Sequence, residues 1–154
     1  MKINTLKNRP ELDTDVKLAA LYTQVVTLIT EINHKSLSAK VGEDINTEVE
    51  SINTSTLSGN DFKKLLKLKQ TAILKLLDKE LKITPQNYHR NLWMLFGMTA
   101  FGLPIGVAIA MSIGNMGMLG VGFPIGIAIG LGIGISLDKK ALEEGRQLNL
   151  EIKH

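Results

Sequence analysis

The sequence predicts an all-α protein: a membrane helical hairpin of two transmembrane helices behind an N-terminal amphipathic helical domain. Three observations carry this. From Asn91 to Leu137, 47 consecutive residues contain no Asp, Glu, Lys, Arg or His. One span takes about 20 apolar residues, so the run holds two spans and a turn. Within it, FGLPIGVAIAMSIG (101–114) returns as VGFPIGIAIGLGIG (121–134), with eight of 14 positions identical. Ahead of it, apolar residues recur at three- and four-residue spacing, the helical signature. The expected division is therefore a cytoplasmic helical domain over 1–90, with helices at about 10–34, 44–54 and 61–83. A glycine-rich hairpin follows over 91–137, and a polar cytoplasmic tail over 138–154.

The first helix is expected to open at Pro10, which suits the first helical position. Glu11, Asp13 and Asp15 follow where the helix dipole favours acid. Leu12, Val16, Ala19, Ala20, Val26, Ile29 and Ile32 form its apolar stripe. VGEDINTEVESIN reads as an acidic second helix with Ile45, Val49 and Ile52 on one side. LSGND is a break, with Ser58, Asn60 or Asp61 as the cap of the third helix. There Phe62, Leu65, Leu66, Ile73, Leu76, Leu77 and Leu81 make the stripe, and five lysines with no acid run from Lys63 to Lys75. Such a helix either packs its stripe against the first helix or lies on an anionic membrane surface. The packing reading is preferred, and the two are compatible if the bundle sits near lipid. Nucleic acid is not an expected partner, because no aromatic platform or recognition motif accompanies the lysines.

ITPQNYHRN breaks the third helix before Pro85. Tyr88, Arg90 and Trp93 at one end of the apolar run, and Lys139 and Lys140 at the other, are candidate interface anchors, since aromatic and basic side chains gather at that depth of a bilayer. Within the run, large and small residues alternate from Ile125 to Leu137, which is also a strand pattern. Helices are preferred for three reasons. LWMLFGMTAFGL shows no alternation, the small residues are too apolar for the inner wall of a water-filled barrel, and proline sits poorly in a strand ladder.

In helices the same residues form lines: Gly102, Gly106, Ala110 and Gly114, then Gly122, Gly126, Gly130 and Gly134, each four apart. A second line, Gly120, Pro124, Ala128, Gly132 and Ser136, lies roughly opposite. Eleven glycines in 47 residues would weaken a water-exposed helix. In lipid the backbone must satisfy itself, and glycine lets helices approach closely. With a turn at 114–117, Pro104 and Pro124 are expected to kink both helices at similar depth. Basic residues flank both ends of the run and none lies in the turn. Both termini should therefore face the cytoplasm, across the cytoplasmic (inner) membrane.

Chemistry is not expected. The chain has no cysteine, its start has no apolar segment of a cleavable signal, and His34, His89 and His154 lack metal-ligand spacing. GLGIG (130–134) lacks the strand–turn–helix context and the pattern of a phosphate loop. No catalytic residue, metal or cofactor is assigned, and the chain is not read as an enzyme.

Gly102-x₃-Gly106-x₃-Ala110-x₃-Gly114 and Gly122-x₃-Gly126-x₃-Gly130-x₃-Gly134 resemble the glycine-zipper segments of small two-span bacterial membrane proteins, a pattern found in several homo-oligomeric channels and pore-formers. The likeness covers about a third of the chain and implies self-association, not conduction. A fainter similarity is to the apolar hairpin of colicin-type toxins, though fewer amphipathic helices surround it here. Two functions remain open. One is a self-associating membrane anchor or scaffold whose cytoplasmic helices bind a protein partner. The other is a homo-oligomeric pore or channel, including a pore-forming effector, with Thr99, Ser112, Asn115 and Ser136 as its polar lining.

Overall fold

The computed structural model describes residues 2–9 and 15–152. The expected helix start at Pro10, with Glu11, Leu12 and Asp13, lies outside the described residues, as does His154. The chain divides into two compact units, Met1–Thr84 with Leu148–His154, and Pro85–Gln147. The boundaries expected from the sequence lie at 90 and 137. The last apolar helix runs on to Glu143, and the polar tail then forms a strand.

In the first unit, α1 (Val16–Asn33) is capped by Asp15, whose carboxylate accepts from the backbone N–H groups of Lys17 and Leu18 at 3.0 and 3.1 Å. These are donors that a helix start leaves open. The buried face is Leu18, Leu21, Val25, Leu28, Ile29 and Ile32. The expected stripe holds at Ile29 and Ile32 and fails at Val16 and Val26, which are exposed. The leucine line has the same helical spacing and removes more apolar area from water than a line containing Ala19 and Ala20.

The second helix, α2 (Ala39–Asn53), starts five residues earlier than expected, because Ser38 accepts from the Val41 N–H and caps it there. Val41, Ile45, Val49 and Ile52 are buried. The third, α3 (Gly59–Leu81), buries Phe62, Leu66, Ile73 and Leu77 in the same core, with Leu65, Leu76 and Leu81 packed at its edge. Its stripe is thus filled by packing, as preferred. Gln70 occupies the intervening turn at 5% exposure, and its Nε2 finds no hydrogen-bond partner among the described residues. A Lys69–Glu48 ion pair at 2.8 Å ties α3 to α2.

After the αL residue Lys82 ends α3, β1 (Thr84–Gln86) runs extended through Pro85. It pairs with β2 (Gln147–Glu151) in a two-stranded sheet. Ile83 and Leu148 add to the core of the first unit.

The second unit is a helical hairpin. Its first arm is α4 (Tyr88–Phe96), a π-helical stretch Gly97–Gly102, and α5 (Leu103–Ile113). Its second arm is a 3₁₀ turn Met116–Val121 followed by α6 (Gly122–Glu143). The arms are 26 and 28 residues long, and both are long and apolar enough to cross a membrane. At about 1.5 Å per residue each exceeds the ~30 Å hydrocarbon layer. The corner is made by Gly114, at φ +71°, and by Asn115, whose Oδ1 accepts from the Gly117 N–H at 2.9 Å.

Candidate functional site

The packed face of the hairpin is the feature that most of the predicted residues share. On α6 the buried positions are Gly122, Gly126, Gly130, Gly134, Asp138 and Ala141. On the other arm they are Gly97, Gly102, Gly106 and Ala110. The two lines meet backbone to backbone. A Cβ built on Gly122 would lie 2.1 Å from the Gly102 carbonyl oxygen, one on Gly126 2.3 Å from that of Gly97, and one on Gly130 2.0 Å from that of Trp93. A Cβ on Gly106 would strike the Leu119 carbonyl at 2.2 Å, and one on Gly134 the Arg90 Cα at 2.5 Å. No side chain larger than hydrogen fits, and close approach of this kind is how helices associate where water does not drive them together.

The glycine lines, expected to serve helix packing and oligomerisation, pack the two helices of one copy against each other. Gly114 is not part of the face. It is exposed, a Cβ there would meet nothing within 4 Å, and its role is the left-handed C-cap of α5. The second small line remains uncovered: Pro124, Ala128, Gly132 and Ser136 are exposed, and a Cβ on Gly120 or Gly132 would meet nothing.

The prolines do not match in depth. Gly102 faces Gly122, so Pro104 lies two residues nearer the corner and Pro124 two residues farther from it. Four residues are about 6 Å along a helix axis. They also do different work. Pro104 has no N–H for a carbonyl one turn back, and the π-helical stretch directly before it loosens that turn. Pro124 is the third residue of α6, in the first turn, where a missing N–H costs little. The sequence repeat is thus not a structural repeat.

Two members of the face were not anticipated. Gly97 stands five before Gly102, off the four-residue line, and the π-helical stretch restores it to the same side. Asp138 stands four after Gly134, so it continues the glycine line as a carboxylate at 8% exposure. Its Oδ1 and Oδ2 accept from the backbone N–H groups of His89 and Arg90 at 3.0 and 2.9 Å. The first arm starts at Asn87, which sits at φ +59° and offers no side-chain cap. Asp138 supplies the cap from the other arm, meeting open donors and the positive end of the helix dipole.

The expected anchors sit at this same end. Tyr88 is the first residue of α4, with its ring 5.2 Å from that of His89, and Trp93 is half-buried, 6.3 Å ring to ring from Phe96. Arg90 lies under Gly134 through its backbone. Lys139 and Lys140 are exposed and pair loosely with Glu143 and Glu144 at 3.9 and 4.0 Å. Beyond the arm, the Arg146 side chain donates to Glu144 and holds that carboxyl below its ordinary value.

Two polar side chains inside the run turn back on the helix. The hydroxyl of Thr99 donates to the Leu95 carbonyl at 3.1 Å and that of Ser112 to the Ala108 carbonyl at 2.8 Å. Outward, the arms present Leu95, Phe96, Phe101, Leu103, Val107, Met111, Ile125, Ile129 and Ile135. Only 22% of the residues in the most apolar stretch of each arm are buried. Among the described residues no group of three or more His, Asp or Glu side chains is placed to hold a metal ion. No protein-family model, curated protein or solved structure matches this chain.

Proposed function

We propose that the chain is an integral membrane protein of the cytoplasmic membrane, in which the Tyr88–Glu143 hairpin is the anchor and the helices of residues 16–81 form a cytoplasmic interaction domain. The observation that carries this reading is the division of the arms into two kinds of surface. Their inward faces are closed on each other at backbone contact, whereas their outward faces are aliphatic and aromatic over the length of a bilayer. A core helix of a water-soluble protein would have those outward residues covered. Lipid is the partner that covers them here, and it needs no partner side chains.

Self-association, and a pore as its extreme form, is the second reading. Because the glycine line is occupied within the hairpin, copies would have to meet through Pro124, Ala128, Gly132 and Ser136, which are small enough for close approach. Native mass measurement of the protein in lipid nanodiscs separates the two. The anchor reading expects one or two chains per disc, and Gly126→Leu opens the hairpin without changing that number. A discrete species of five or more chains, lost in Gly132→Leu, would replace the anchor by a ring and call for ion-flux assays. Protein that stays out of the nanodiscs would refute both.

A further inference from the structure

The N-terminal segment is bound to the first unit as a peptide ligand would be. Residues 2–9 have no regular secondary structure of their own, and three asparagine side chains hold their backbone. Asn33, at the end of α1, accepts from the Ile3 N–H at 2.7 Å and donates to the Ile3 carbonyl at 3.2 Å. Asn46 accepts from the Asn4 N–H at 2.7 Å. Asn53 accepts from the Lys7 N–H at 2.9 Å and donates to the Thr5 carbonyl at 3.1 Å. A primary amide carries an acceptor and a donor side by side, so it pairs with an extended backbone as a neighbouring strand would.

The spacing fits this use. Asn46 and Asn53 are seven residues apart on α2, about 10.5 Å along the helix axis. Asn4 and Lys7 are three residues apart, about 10 Å in an extended chain. The row of amides therefore keeps step with the peptide.

Backbone contacts carry no sequence information, and three side chains supply it. Ile3 enters the core at 1% exposure and Leu6 packs against it. Arg9 lies 4.3 Å over the Phe62 ring and donates to the carbonyls of Ile52 and Ser55, which are at the end of α2. Tyr22 closes the groove with a hydroxyl bond to the Lys7 carbonyl. The groove thus reads an extended peptide of the form aliphatic-x-x-aliphatic-x-x-Arg.

We propose that this groove is the partner site of the cytoplasmic domain, that its ligand is an extended segment of that form in another protein, and that residues 2–9 are a tethered occupant the partner displaces. The proposal deepens the anchor reading and rests on it for the location of the site, but its test does not depend on assembly or conduction. Because residues 2–9 belong to the same chain, their binding is intramolecular, so a free peptide competes poorly until the occupant is disabled.

The experiment uses the full chain in nanodiscs and a fluorescent peptide of sequence KINTLKNR. Ile3→Asp places a charge in an apolar pocket and frees the groove. The peptide is expected to bind Ile3→Asp at least tenfold more tightly than the unaltered chain, and adding Asn53→Leu to that variant is expected to weaken it at least tenfold. Absence of saturable binding to Ile3→Asp with its helical circular dichroism intact would overturn the proposal, as would equal binding after Asn53→Leu. Hydrogen exchange of the unaltered chain guards against a variant that does not fold. The Ile3, Asn4 and Lys7 amides are expected to exchange at least 100-fold faster than Val25 in α1, and exchange at the same rate would make the segment a fixed part of the core. A dimer in nanodiscs that Ile3→Asp converts to monomer would reassign the groove to a second copy of this chain and overturn the foreign partner.

Discussion

Asp138 shows how much one carboxylate can organise at the mouth of an apolar hairpin. It is buried, yet each of its oxygens has a backbone N–H at hydrogen-bond distance, and those donors belong to the first turn of the other arm. Asp138→Ala removes an acceptor from two part-buried donors at once, and a fully buried donor left unsatisfied costs about 1–3 kcal/mol. The expected outcome is local. The His89 and Arg90 amides should exchange with solvent at least tenfold faster, while amides near Gly106 are unchanged. Equal exchange at both places would mean that the cap is redundant. The position of Asp138 was legible, since it stands four after Gly134. Its role was not, because a residue just past an apolar run reads as a water-facing exit until the opposite helix start is known to lack a cap.

At the scale of elements, the hairpin is decided by which glycines touch. A Cβ on Gly130 would lie 2.0 Å from the Trp93 carbonyl oxygen, whereas a Cβ on Gly132 would meet nothing. The same substitution two residues apart should then have opposite consequences. Gly130→Ala must push the arms apart and is expected to destabilise the closed hairpin by at least about 2 kcal/mol, the usual cost of overpacking. Gly132→Ala should be neutral or slightly stabilising, since alanine is the better helix former. Unfolding in mixed detergent micelles, followed by the emission of Trp93, the single tryptophan, reads both. If the two variants unfold alike, the arms are not held by backbone contact. The four-residue lines were visible in the sequence, and so was the helical hairpin they imply. What sequence spacing concealed was the π-helical stretch, because a five-residue advance from Gly97 to Gly102 looks like a break in the line. It also concealed which neighbour the line meets: the same pattern suits a second copy or the next helix of the same chain, and only the register of the turn at Gly114 decides between them.

At the scale of the whole molecule, the consequences concern which ends share a side. Gly134 packs on Arg90 while Gly106 packs on Leu119, so the start of the first arm and the end of the second lie together, away from the corner at Asn115. Tyr88, Arg90, Lys139 and Lys140 therefore gather at one level, and the corner carries no charge. Basic flanks stay on the cytoplasmic side of a membrane, so the proposed anchor reading expects the helices of residues 16–81 and the C-terminal strand on that side and the corner on the other. The absence of cysteine makes this directly testable, because any introduced thiol is the only one in the protein. Lys2→Cys and Glu151→Cys should resist a membrane-impermeant maleimide in intact cells and react after lysis, whereas Asn115→Cys should react in intact cells. The Asn115 side chain is itself exposed, so failure to label it would not come from burial within the chain. Labelling of Lys2→Cys with protection of Asn115→Cys would invert the topology. Labelling of all three in intact cells would remove the hairpin from the membrane, leaving its outward leucines, phenylalanines and isoleucines to be covered by protein.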